Sequence, residues 1–175
     1  MRNVASLFLE YARLDRRRTG QGLSVKQLER WSELKRRLDH QLSPGSEASH
    51  RQRRSSIRVP TRLNCSFESI GTLQKAVITN LSRTGMFINT ASPLPMGTKL
   101  HLRILIEETG DEIEVPATVA TNNVGPSFDM SKTGMGVRFL KEVPEITEQV
   151  DNLYEDQIQR VYGAGEETEA PEGGD

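Results

Sequence analysis

The apolar residues change their spacing part-way along the chain, and that change constrains the fold more than any other feature. Before residue 43 they recur at helical intervals: Val4, Leu7, Phe8, Tyr11 and Leu14 make one stripe, and Leu28, Trp31, Leu34, Leu38 and Leu42 a second. Beyond residue 60 they fall into short β-branched runs separated by turn residues, at 61–68, 73–81, 86–90, 98–107, 112–121 and 135–140. In the fourth run Leu100, Leu102, Ile104 and Ile106 alternate with Lys99, His101, Arg103 and Leu105, the two-residue period of a strand with one buried face. Six such runs with short connections predict a mainly β, antiparallel barrel or sandwich preceded by a helical hairpin.

Local signals punctuate this pattern. Thr19-Gly20-Gln21-Gly22 interrupts the helical part, and Ser24 followed three residues later by Gln27 has the spacing of a capping box that starts a second helix. Residues 43–53 have almost no apolar content and carry Pro and Gly, which predicts a flexible linker. Pro144-Glu145 opens a third helix with acid near its N-terminus, and Ile146, Val150, Leu153, Ile158 and Val161 are spaced to cover the β-rich part. From Gly163 on, acidic and small residues without an apolar anchor predict a disordered acidic tail. The expected organisation is therefore a helical hairpin over 1–42, a linker over 43–53, a β domain with its C-terminal helix over 54–162 and a tail over 163–175.

Charge follows the same divisions. The formal net charge is only −1, yet residues 1–58 hold 14 basic against 6 acidic side chains, residues 59–140 hold 7 of each, and residues 141–175 hold 2 against 11. The leader and tail are thus oppositely charged, and the tail could fold back on the leader at low salt. Arg16, Arg17 and Arg18 sit at a helix end beside Asp15 without interleaved aromatics, which reads as solvated charge and argues against a nucleic-acid partner. No apolar run approaches a membrane span, and Val4–Leu9 is too short and interrupted for a signal sequence. With Cys65 as the only cysteine, no intrachain disulfide or thiolate zinc cluster can form, so a cytoplasmic, reducing setting is expected.

Catalytic chemistry is hard to assemble from these residues. His40, His50 and His101 lie in a helix end, the linker and a strand's polar face, each without a clear carboxylate or cysteine partner. Glu107-Glu108 and Asp111-Glu112 flank Thr109-Gly110 and read as a solvated hairpin turn. Phosphate-loop and dinucleotide fingerprints are absent, since Gly134-Met135-Gly136 lacks the following glycine and helix. The expectation is a protein that is not an enzyme and has no metal or cofactor.

Two short segments instead suggest binding. In Arg54-Ser55-Ser56-Ile57-Arg58 two guanidiniums are four residues apart, and Pro60 biases the chain toward an extended form that would separate them by ~13 Å. Arginine's planar fork grips phosphate or the O6/N7 edge of guanine and also stacks on bases. A solvated basic linker would have the same spacing. Asn80-Leu81-Ser82-Arg83-Thr84-Gly85 lies where a hairpin is needed between two strands. Its Asn80 and Ser82 could make turn hydrogen bonds with Gly85 at positive φ, or Asn80 and Ser82 could face a ligand that Gly85 lets approach.

Taken together, these segments resemble the PilZ domain family, which has an R-x-x-x-R motif ahead of the first strand and a [D/N]-x-S-x-x-G motif after the second. Arg54 and Arg58 match the first, and Asn80, Ser82 and Gly85 the second. Gly85-Met86-Phe87-Ile88 and the closing Gly134–Phe139 run are also similar to the family, so the resemblance covers about residues 50–160. It implies a six-stranded antiparallel β-barrel that binds cyclic di-GMP. Arg54 and Arg58 would grip guanine and phosphate, while Asn80, Ser82 and Gly85 would hold the other guanine. Arg53 occupies the place from which a further arginine can favour two stacked ligands. The expected function is a cyclic di-GMP receptor that rearranges its N-terminal helices to regulate a protein partner in motility, biofilm formation or a related output. The hairpin is the expected partner or homodimer surface. The alternative is an interaction adaptor that does not bind the nucleotide.

Overall fold

A computed structural model describes residues 3–42, 56–124, 133–140 and 143–163. The expected linker with Arg53, Arg54 after it and the tail beyond Gly163 lie outside these residues. The elements are α1 (Val4–Gly20), α2 (Val25–Leu42), β1 (Val59–Ser69), β2 (Thr72–Ser82), β3 (Gly85–Asn89), β4 (Lys99–Ile106), β5 (Asp111–Asn123), β6 (Gly134–Phe139) and α3 (Pro144–Tyr162). They fall into two compact units, one running up to Ile57 and resuming at Glu155, the other Arg58–Tyr154.

In the second unit the six strands close into a barrel in the order β1-β2-β3-β6-β5-β4. Every pair is antiparallel, and β1 meets β4 with Cys65 opposite Ile104. Closure leaves no free sheet edge, and it decides between the barrel and the sandwich. The alternation in β4 is realised, with Leu100, Leu102 and Ile104 buried and Lys99, His101 and Arg103 exposed. Phe67, Ile78, Ile88 and Val115 fill the interior from neighbouring strands, each fully buried apolar side chain contributing about 1.5–3 kcal/mol. From the first half of α3, Val150, Leu153 and Tyr154 are buried in the same unit.

Turn chemistry sets the strand connections. Ile70 and Gly71 join β1 to β2 with φ of 51° and 70°, the two left-handed residues of a tight hairpin whose flanking pair is Ser69–Thr72. The charged Glu107–Gly110 turn joins β4 to β5 as expected, with Gly110 at φ 74° and its N–H donating to the Ile106 carbonyl at 2.8 Å.

In the first unit α1 and α2 pair. Asn3 caps α1 by accepting the Ala5 N–H at 3.2 Å, and the Ser24–Gln27 capping box forms in both directions at 3.0 and 3.4 Å. Glu10 accepts two bonds from the Arg30 guanidinium of α2, at 2.7 and 2.9 Å. The packed stripes differ from the expected ones. In α1 burial runs through Ala5, Leu7, Phe8, Tyr11, Ala12 and Asp15, because small alanines permit close approach and Asp15 has partners. In α2 only Leu34 and Leu38 are buried, and Leu28 remains 47% exposed.

Trp31 is half-buried and serves as a bridge. Its indole N–H donates to Asp15 at 3.0 Å, its ring stacks on Tyr11, and the Arg18 guanidinium lies 4.5 Å from its ring centre. Arg18 also donates to Asp15, so it is an ion-paired packing residue where the sequence predicts solvated charge. At the end of α3, Ile158 is buried and Tyr162 contacts Phe8, whereas Val161 points outward. Among the described residues no helix is long and apolar enough to cross a membrane.

Candidate functional site

Strand register gathers the described motif residues at one end of the barrel. Pro60, Asn80, Phe87 and Gly136 form one row across β1, β2, β3 and β6. Val59, Leu81, Met86 and Val137 form the next, and Ser82, Gly85 and Arg138 the one beyond it, at the rim. Arg58 immediately precedes Val59, the first residue of β1. Arg58 and Arg138 are both exposed. Arg138 carries no local sign of a role in the sequence, because its proximity to the motif depends on which strands become neighbours on closure.

Two irregularities in the ladder flank Asn80. The β1–β2 register shifts between Pro60 and Leu63, and the β2–β3 register shifts between Ile78 and Asn80. The shift around Thr79 breaks the two-residue alternation, so Ile78 and Leu81, three positions apart, both reach the core. Asn80 falls between them, half-buried, and its Oδ1 is shielded from solvent without a hydrogen-bond partner. Buried side-chain oxygens almost always find a donor, so an orphan amide oxygen beside the rim is a place where a ligand N–H would be satisfied.

The rest of the second motif is engaged within the protein. Ser82 is 5% exposed, and its hydroxyl donates to the Gly85 carbonyl at 2.9 Å while accepting a longer contact from the Thr84 N–H at 3.4 Å. It therefore ties the turn and does not project outward. Gly85 is absent from the positive-φ positions, which removes one reason for expecting glycine there. A Cβ at Gly85 would stand 2.1 Å from the Val137 carbonyl oxygen, so glycine is required by the close approach of β6. Gly134 meets the same constraint from the other side, 2.1 Å from the Ile88 carbonyl oxygen.

The turn residue following Ser82, Arg83, is 4% exposed. Its Nε and Nη2 donate to the two carboxylate oxygens of Asp151 in α3 at 2.7 and 3.0 Å, and Asp151 is 2% exposed. This paired fork fastens the motif turn to the first half of α3. The contact spans 68 positions in sequence and leaves no local signal. Cys65 is buried in β1 and burial alone pushes its thiol up to about 12, which suits packing and not nucleophilic work. Arg58 is the one arginine of the first motif among the described residues.

The PilZ domain family matches residues 52–156. Among solved structures, the PilZ domain with c-di-GMP of YcgR from Escherichia coli aligns with a TM-score of 0.54 at 17% identity, covering 67% of this chain and 100% of that one. YcgR in complex with c-di-GMP from Escherichia coli aligns at 0.51 and 17% identity, covering 62% of this chain and 47% of that one, so the match spans about half of that longer protein. The Bacillus subtilis inhibitor of motility MotI/DgrA aligns at 0.49 and 22% identity, covering 63% of this chain and 51% of that one. At 17% identity the two YcgR likenesses bear on the fold alone. No curated protein matches the sequence. The closed six-stranded barrel, the two motifs and a family match over 105 of 175 residues lead to one assignment: the chain belongs to the PilZ domain family.

Proposed function

We propose that this protein is a cyclic di-GMP receptor and not a catalyst, with Arg54, Arg58 and Asn80 as the residues that touch the nucleotide. The observation that carries the reading is the orphaned Asn80 Oδ1 next to the rim. A guanine presents N–H donors that would satisfy it, and the ligand's phosphates match exposed guanidiniums at the rim. Arg138, paired with Gly85 at the rim, supplies a further exposed positive charge. Ser82 and Gly85 act indirectly, by building the turn that holds Asn80. The two YcgR structures contain c-di-GMP, which supports the same ligand class here. Arg53 and a two-ligand stack remain part of the proposal through the motif alone. Binding would alter what the N-terminal helices present to a protein partner, with motility or biofilm formation as the output, in the cytoplasm.

One observation favours the alternative of a partner-binding adaptor without the nucleotide: Ser82 and Gly85 are both accounted for by the fold. Calorimetric titration of the purified protein with cyclic di-GMP separates the two. Micromolar or tighter binding, weakened in Arg58→Ala by about 1–3 kcal/mol with an unchanged melting temperature, is the outcome expected of a receptor. No heat at high ligand concentration, or full affinity in the Arg58→Ala variant, would exclude the proposed site.

A further inference from the structure

Tyr11 of α1 holds the chain just before Arg58. Between Leu42 and Val59 the chain has one large apolar residue, Ile57, and it lies one position before Arg58 and three after Arg54. Ile57 is 3% exposed and its neighbour Ser56 4%. The Ile57 N–H donates to the phenol oxygen of Tyr11 on α1 across a long 3.4 Å contact. Ser56 lies close enough to Tyr11 to bear on its ionisation. Tyr11 is itself fully buried and braced by Phe8 on one side and Trp31 on the other, ring centres 6.1 and 6.2 Å away. Burial first, and the Asp15 carboxylate second, raise its hydroxyl above the ordinary phenol range, so it stays a neutral acceptor.

Resting on the receptor reading above, we propose that Tyr11 is a positioning residue for the nucleotide site: by holding the Ile57 backbone it fixes the chain immediately before Arg58. A ligand that recruits arginines from an unheld segment must also order that segment, whereas a held one has been ordered in advance. The coupling is reciprocal. If the Tyr11 anchor raises affinity for the nucleotide by some factor, the nucleotide raises the population of the anchored state by the same factor. Tyr11 thereby tunes ligand affinity through Arg58.

The test uses the full-length protein and cyclic di-GMP. Tyr11→Phe keeps the ring and removes the acceptor, and its dissociation constant is expected to rise about two- to five-fold, the scale of a long neutral hydrogen bond. In the unaltered protein, saturating cyclic di-GMP is expected to slow amide exchange at Ile57, a readout that packing of Tyr11 alone would not move and that decides the matter even where the variant folds poorly. A folded Tyr11→Phe with unchanged affinity, a lower melting temperature alone, or Ile57 exchange indifferent to ligand would each overturn the proposal. Absence of binding heat in the unaltered protein would remove the receptor reading along with it. Heat in the unaltered protein with no change in Tyr11→Phe would remove this proposal only.

Discussion

At the scale of single residues, Asn80 and Gly85 belong to the same motif for different physical reasons. Leaving a buried acceptor without a donor costs about 1–3 kcal/mol, so the Asn80 Oδ1 destabilises the protein alone. Asn80→Ala is therefore expected to change unfolding free energy by no more than about 1 kcal/mol while weakening cyclic di-GMP roughly tenfold, the usual scale for a lost polar contact. Paired urea denaturation and calorimetry would show it, and a variant that unfolds easily yet binds normally would make Asn80 structural. Gly85 reverses the logic, since any side chain there meets the β6 backbone whether or not a ligand is present. The positions of both residues are legible in the sequence as a motif. Their roles are not, because the backbone approach of β6 and the register shift around Thr79 arise only when distant strands pair.

At the scale of elements, helices and strands are largely legible because their signals are local. The capping box marks the start of α2, and the two-residue period marks β4, both of which the structure contains. What the apolar stripes do not show is polar burial: Asp15, Arg83 and Asp151 look like surface charge until their partners are known. The Arg83–Asp151 pair joins the motif turn to α3, and removing one member leaves a buried charge uncompensated. Arg83→Met alone is expected to destabilise by about 3–5 kcal/mol, with much of the loss recovered in Arg83→Met/Asp151→Leu. A double variant as unstable as the single, measured by chemical denaturation, would contradict this account. The β1–β2 hairpin offers the opposite change. Ile70 is a β-branched, fully exposed residue at φ 51°, where asparagine is tolerated far better. Ile70→Asn is expected to raise stability by about 1 kcal/mol, and an unchanged or lower denaturation midpoint would refute the strain.

At the scale of the whole molecule, the two units part between Ile57 and Arg58 and again within α3 between Tyr154 and Glu155, and neither place carries a compositional mark. Cooperativity of the barrel has a built-in probe in Cys65, the only cysteine, which lies in β1 where the barrel closes on β4. Burial pushes its pKa from about 9 up to about 12. The unfolded chain therefore releases this proton at lower pH than the folded one. Between those values the folded state binds more protons, and stability falls as pH rises. Buried Tyr11 shifts in the same direction, so the loss belongs to both groups and a cysteine-free control is needed. Urea midpoints measured from about pH 8 to about pH 10.5 are expected to fall more steeply in the unaltered protein than in Cys65→Ala. Parallel slopes in the two would mean that the thiol ionises as readily inside the barrel as outside it, and that β1 and β4 do not close over it.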